Sequence, residues 1–260
     1  PAYLNFSSLR IVLDCAHGAC YKVSPSIFKE LGAEVILIGN NPDGFNINQG
    51  CGSTHPELLQ EEVVKHRADY GVALDGDGDR VILVDSNGNI LDGDDLLYIM
   101  AFANPNRVGA WAGVVGTKMS NFGLEDGLNK LGYKFVRADV GDKYVSQKLS
   151  EKGWLLGGET SGHIISKDLV STGDGTIAAL KVISSLMILE KTPSEVLSNY
   201  NKRPQINIAV SVKNKDVIND SSIQSAISEA QSDITVDRVL VRPSGTESKI
   251  RVMVEASDEN

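Results

Sequence analysis

The stretch LDGDGDR at residues 74–80 sets Asp75, Asp77 and Asp79 on alternate positions with only glycine between them, just where an apolar run ends. Three like charges this close repel, and a hard cation placed between them relieves the repulsion. The spacing is not that of an EF-hand, whose loop needs Gly sixth and Glu twelfth. Counted from Asp75, those positions hold Arg80 and Ser86. Three carboxylates leave positions open on an octahedral ion, which suits Mg²⁺ held jointly with a phosphate oxygen. Arg80 then stands beside the metal as a second cation for that phosphate. The plain alternative is a solvated acidic turn.

Two further loops carry residues of the same kind. In GGETSGH (157–163), Glu159, Ser161 and His163 alternate, so an extended backbone would turn all three to one side. A carboxylate, a hydroxyl and an imidazole in a row suit sugar hydroxyls, and His163 can also move protons near neutral pH. In RPSGTESKIR (242–251), Ser244, Gly245 and Thr246 offer hydroxyls and consecutive backbone N–H groups between Arg242 and Arg251, an anion nest. It is no P-loop, because the chain has no GxxxxGK[ST]. His17 and His55 read as structural, Lys118 and Lys143 as solvated, and Gly173-Asp174-Gly175 as a helix cap.

These loops need strands and helices to hold them. LRIVLD (9–14), EVILIG (34–39) and YGVALD (70–75) read as strands, and RVILVDSNGNIL (80–91) as a hairpin turning at Asn87-Gly88. Between them lie a helix with Ser24 as cap, Pro25 at its first helical position and Gly32 as stop, and a second over 54–68 opened by Thr54 and Glu57 in capping-box spacing. The pattern restarts with strands at 111–116 and 133–140, helices near 120–131 and from 142, the segment 154–165, and a long helix over 175–191. The polar stretch 191–204, with two prolines, reads as a boundary. Beyond it come a strand at 206–212, a helix near 221–231 and two strands within 239–256. The expected division is 1–98, 99–200 and 201–260: two layered α/β domains with mixed sheets, then a small α+β domain.

With 34 acidic against 25 basic residues and a net charge of −9, a general nucleic-acid or membrane-surface binder is disfavoured. Three cysteines without paired spacing indicate neither a zinc site nor a disulfide framework, and a reduced cytoplasmic setting fits best.

DCAHGA (14–19), CGSTHPE (51–57), DGDGDR (75–80), MSNFGLE (119–125), VGDKYV (140–145), GGETSGH (157–163), TGDG (172–175) and RPSGTE…IRVMVE (242–255), in that order, resemble the α-D-phosphohexomutase superfamily along essentially the whole chain. Within it, the likeness is greatest to the bacterial members that act on glucosamine phosphates. The resemblance implies Mg²⁺ on Asp75, Asp77 and Asp79, with Arg80 supporting the moving phosphoryl group. It gives Glu159, Ser161 and His163 to the sugar pocket. Arg242, Ser244, Gly245, Thr246 and Arg251 would grip the phosphate that is not reacting. It also implies interconversion of glucosamine 6-phosphate and glucosamine 1-phosphate through an enzyme phosphoserine and a bisphosphate, upstream of UDP-N-acetylglucosamine and peptidoglycan precursors. The partner is a phosphorylated amino sugar, with no nucleic acid and no membrane; a homodimer stays open. The alternatives are a glucose or mannose phosphate mutase, or a non-catalytic phosphosugar-binding protein.

The chain also departs from the family. The Thr-Ala-Ser-His-Asn-like loop that carries the phosphoserine has no counterpart, and Ser53 in GSTHP belongs to a different family segment. The expectation is a fragment lacking the first of four domains and the end of the last, inactive alone. Lys143 stands where the family usually has Arg, and TESK (246–249) replaces its usual Thr-Glu-Pro run, with Ser248 in the place of the proline.

Overall fold

A computed structural model describes residues 4–233, 236–244 and 247–257. The chain divides into two compact units, one formed by 1–120 with 127–199 and the other by 121–126 with 200–260. Gly245 and Thr246 lie outside the described residues.

The first unit begins with β1 (Arg10–Asp14), α1 (Val23–Glu30), β2 (Glu34–Ile38), α2 (Glu57–His66), β3 (Tyr70–Leu74), β4 (Val81–Asp85) and β5 (Ile90–Leu91). These strands form one sheet in the order β2-β1-β3-β4-β5, parallel across β2, β1 and β3 and antiparallel beyond. Ile11, Val12 and Leu13 are fully buried, as a parallel strand covered on both faces requires. One face packs Val12, Ala73, Ile82 and Val84 against Leu59 and Val63 of α2. Leu74 pairs with Val81, so DGDGDR is the hairpin loop joining β3 to β4.

Next come α3 (Gly93–Ala103), β6 (Gly113–Thr117), α4 (Phe122–Lys130), β7 (Lys134–Ala138), α5 (Asp142–Lys152), β8 (Leu156–Gly158), β9 (Ile164–Ser166), α6 (Gly175–Leu189) and α7 (Pro193–Leu197). The second sheet has the order β7-β6-β8-β9, with the same strand directions as β2-β1-β3-β4. Val145 and Leu149 of α5 pack on Val115 and Ile165. Helices α3 and α6 touch each other, α3 against β5 and β8, α6 against β3, β4 and β9. A helix between two sheets must be apolar nearly all round, and Leu96 to Ala101 of α3 are all buried.

The second unit holds β10 (Gln205–Ser211), α8 (Ser221–Ser232), β11 (Val236–Pro243) and β12 (Lys249–Ala256). Its antiparallel sheet has the order β10-β12-β11, with α8 against β11.

Several local expectations are corrected. Ser24 is not a cap and Pro25 is not the first helical residue: α1 opens at Val23 with Lys22 in the cap position, and the buried Ser24 hydroxyl bonds Thr176 Oγ1 at 2.7 Å. Tertiary packing claims a side chain that could serve a local cap. Thr54 and Glu57 form no capping box, because a turn with His55 N donating to Gly52 O takes Thr54 and delays α2 until after Pro56. The polar stretch at 191–204 contains α7, with a capping box between Thr192 and Glu195. Helix α3 runs unbroken through residue 98. Asp174 does cap α6, accepting from Ile177 N at 2.9 Å.

Candidate metal and phosphosugar site

The aspartate loop is held by backbone contacts from three other segments and by a turn of its own. Ala19 N, from the loop after β1, donates to Gly76 O at 2.8 Å, and Gly175 N at the start of α6 donates to Gly78 O at 2.8 Å. Gly78 N closes on Asp75 O at 3.1 Å, and Val81 N donates to Gly162 O at 3.1 Å. The alternating glycines are required by what surrounds them. A Cβ on Gly76 would meet the Ile47 side chain at 2.5 Å, and one on Gly78, where φ is +79°, would meet Cys20 Sγ at 2.3 Å.

Held in this way, Asp75, Asp77 and Asp79 each offer an oxygen within 4.8 Å of the others. Asp75 is 6% exposed. Burial, followed by the neighbouring Asp79 and Asp77 charges, pushes its carboxyl up to about 6 against the one lowering contact, the Arg80 N–H. Arg80 Nε lies 3.3 Å from Asp75 Oδ2 and 3.6 Å from Asp79 Oδ1, so its guanidinium folds back over the carboxylates. Asp79 Oδ1 is buried without a hydrogen-bond partner. Crowded, partly desolvated carboxylates with an unsatisfied oxygen fit a small hard dication.

The GGETSGH segment is a tight turn between β8 and β9, not an extended strand. Glu159 N donates to His163 O at 3.0 Å and Gly162 N to Glu159 O at 2.9 Å, with Gly162 at φ +93°. The three side chains therefore go separate ways. Glu159 Oε1 accepts from Gly141 N at 2.9 Å, at the cap position of α5. Ser161 is exposed. His163 is buried, with Nδ1 3.0 Å from Asp79 Oδ2. The turn is fixed from behind by α3, where Gly93 N donates to Thr160 O at 3.0 Å and Asp94 Oδ2 accepts from the Thr160 hydroxyl at 3.1 Å. Helix α3 was not apparent in the sequence, although Asp92 and Asp95 in capping-box spacing before an apolar run were its signal.

Gly162 is the joint between the two sheets. A Cβ there would lie 2.1 Å from Val81 O, and its left-handed backbone disfavours any side chain. Gly162→Ala is expected to cost about 2–4 kcal/mol from left-handed strain plus overpacking, read by denaturant unfolding of the full-length protein. An unchanged midpoint would show that the turn relaxes freely.

In the second unit, Arg242 and Arg251 are direct partners across β11 and β12. Like charges directly opposite are unfavourable in a sheet unless an anion sits between them. Arg242 Nε is buried without a partner, and Arg251 Nη2 lies 3.2 Å from Glu247 Oε2. Ser244 is buried, its N donating to Lys249 O at 2.8 Å and its hydroxyl accepting from Glu247 N at 3.3 Å.

The remaining candidates are structural in their contacts. Lys118 pairs with Asp139 at 2.5 Å, and Lys143 Nζ sits 4.7 Å from the Tyr144 ring centroid. His17 Nδ1 accepts from Asn41 N at 3.1 Å, and His55 is exposed. Cys15, Cys20 and Cys51 are free thiols, and burial pushes Cys15 up to about 12. Among the described residues no helix is long and apolar enough to cross a membrane.

Two α/β/α layers of matching topology, an aspartate hairpin loop and a paired-arginine strand ladder define a phosphohexomutase architecture. The chain belongs to the phosphoglucomutase/phosphomannomutase family: residues 3–88 match its alpha/beta/alpha domain II, 92–203 its alpha/beta/alpha domain III and 206–260 its C-terminal domain. Among curated relatives, the phosphoglucosamine mutase of Cellvibrio japonicus is 49% identical over 261 residues, and that of Coxiella burnetii 50% over 262. Each alignment covers all of this chain, which spans 59% of either relative's length. A phosphoglucomutase/phosphomannomutase family protein of Burkholderia thailandensis superposes with a TM-score of 0.78 at 25% identity, over 96% of this chain and 57% of that one. The N-acetylphosphoglucosamine mutase of Aspergillus fumigatus, solved with GlcNAc-6P and magnesium, shares the fold with a TM-score of 0.78 at 22% identity, over 96% and 62%.

Proposed function

We propose that the protein carrying this chain is a cytoplasmic phosphoglucosamine mutase, interconverting glucosamine 6-phosphate and glucosamine 1-phosphate. The observation that carries the reading is the aspartate hairpin loop with Arg80 folded over it, in a chain about half identical to curated phosphoglucosamine mutases. Asp75, Asp77 and Asp79 would hold Mg²⁺, which when bound supplies charge neutralisation for a transferring phosphoryl group.

The chain's own residues do the rest. Arg80 swings from its carboxylate partners onto the phosphoryl oxygens, offering a planar fork of donors. Glu159, with Oε1 taken by Gly141 N, presents its other oxygen to sugar hydroxyls beside Ser161. Arg242, Arg251 and the Ser244 loop hold the phosphate that is not reacting. In the first half-reaction a sugar hydroxyl oxygen bonds to the phosphorus of an enzyme phosphoserine, the serine oxygen–phosphorus bond breaks, and the hydroxyl proton passes to the serine oxygen. The bisphosphate turns over, and the other phosphate returns to serine by the reverse exchange. A clamp indifferent to which end it holds keeps the sugar bound through that turn.

The deciding experiment is a coupled mutase assay on the full-length protein with Mg²⁺ and a hexose bisphosphate. A kcat/KM for glucosamine phosphate about 10-fold or more above those for glucose and mannose phosphates supports the proposal. Preference for either neutral hexose would overturn the substrate, and binding of all three without turnover would leave a phosphosugar-binding protein.

A further inference from the structure

We propose that Asp14 is a positioning residue for the aspartate loop, holding a strained segment, residues 15–19, against it and fixing the peptide groups on both sides of Asp75. This rests on reading the aspartate loop as a Mg²⁺ site. Asp14 ends β1, the strand between β2 and β3, and is fully buried. Its Oδ1 accepts from Ala16 N at 2.8 Å and its Oδ2 from Gly52 N at 2.7 Å, and among the described residues it makes no ion pair. A buried charge without a countercharge is costly. Burial pushes this carboxyl up, and the two N–H groups pull it back. What the chain gains is one side chain that ties together two loops far apart in sequence.

The first of these loops is strained. Ala16 at φ +52° and His17 at φ +48° are consecutive left-handed residues, each carrying a Cβ. That conformation is unfavourable even singly and persists only where the surroundings over-determine it. Here they do: Asp14 holds Ala16 N, Ala16 O accepts from Asn48 N at 2.9 Å, and His17 N donates to Gly39 O at 2.5 Å. The reversal brings Gly18 onto the aspartate loop, where a Cβ would lie 2.3 Å from Gly76 O, and Ala19 N donates to that same oxygen. The second loop is reached through Gly52 N. Its next residue, Ser53, donates its N–H to Leu74 O at 2.9 Å. Leu74 and Gly76 flank Asp75, so one carboxylate acts on both neighbours of a metal-binding residue. A ligand whose backbone is fixed in this way loses little freedom on taking up a cation, and supports outside the ligands themselves are commonly worth about 10–100-fold in affinity.

Support of the aspartate loop and support of the fold are separable by experiment. In the full-length protein, Asp14→Asn keeps the volume and one acceptor oxygen but sets an NH₂ group against the other N–H. Calorimetric Mg²⁺ titration, made well below the melting temperature found in EDTA, is expected to give a Kd about 10-fold weaker. A residue that served the fold alone would lower the melting temperature and leave the Kd of the folded protein unchanged. Ala16→Gly removes the left-handed strain at that position. By itself it should bind Mg²⁺ as the wild type does, and added to Asp14→Asn it should recover most of the lost affinity. Gly18→Ala, at an ordinary φ of −101°, leaves Asp14 intact and pushes the segment off Gly76. It should weaken Mg²⁺ about 10-fold, and it decides the question if Asp14→Asn does not fold. Wild-type affinity in folded Asp14→Asn or in Gly18→Ala, or a loss that Ala16→Gly leaves untouched, would overturn the proposal. Failure of the wild-type protein to bind Mg²⁺ would instead remove the metal reading on which it stands.

Discussion

Asp77→Asn in the full-length protein will leave the fold intact while Mg²⁺ affinity and mutase turnover collapse. Among the described residues Asp77 makes no hydrogen bond or ion pair, and it is exposed. Its charge faces Asp75, whose carboxyl is already pushed up to about 6 by burial and its acidic neighbours. Removing that charge relieves repulsion, so stability should hold or rise by a few tenths of a kcal/mol, as for a surface change. A site of three carboxylates reduced to two loses one directly bonding oxygen and one unit of charge. The Kd should weaken by more than the roughly 10–100-fold that loss of an outer partner costs. Turnover should fall about 10³-fold, the scale seen when a preorganised electrostatic contact to the reacting group is removed. Asp75→Asn makes the contrast, since Asp75 accepts from Arg80 N and pairs with Arg80 Nε, and its loss should also lower the melting temperature. Calorimetry, the coupled assay and a melting curve read all three quantities. Wild-type Mg²⁺ affinity in Asp77→Asn would remove this carboxylate from the site.

The aspartate loop was legible because all its parts are contiguous. A strand, six residues and a second strand in register make the hairpin, and the glycines are where Ile47 and Cys20 press on the loop. The parallel strands were legible for the same reason, as short β-branched runs between turn signals. What the sequence concealed depends on partners far along the chain. His163 meets Asp79 across 84 positions, and Ser24 meets Thr176 across 152. No local pattern announces either contact. Alternation suggested that Glu159, Ser161 and His163 share a side, but Gly162 at φ +93° turns the chain. The pair Asp92 and Asp95 was local and readable. It was obscured by a run so uniformly apolar that no amphipathic period marked α3, a pattern that follows from burial between two sheets.

The paired arginines give the second large effect. Arg242→Ala is expected to raise KM for glucosamine 6-phosphate about 10–100-fold, the loss of a charge-assisted hydrogen bond of roughly 1.5–3 kcal/mol. With no ligand present, the same substitution should hold or raise the melting temperature. Arg242 lies directly opposite Arg251, and without an anion the pair is a cross-strand repulsion only partly offset by Glu247 at 3.2 Å from Arg251. The two readouts therefore move in opposite senses, which a merely structural arginine would not produce. Ligand binding stabilises the folded state in proportion to the logarithm of its concentration over Kd. Glucosamine 6-phosphate should thus raise the wild-type melting temperature and fail to raise that of the variant at the same concentration. Arg242→Lys should recover only part of the affinity, since an ammonium keeps the charge and loses the two-pronged grip on phosphate. A variant that melts lower without ligand, and still shows the full ligand-induced shift, would make Arg242 a structural residue of the β11–β12 ladder. The phosphate grip would then fall to Arg251 and Ser244.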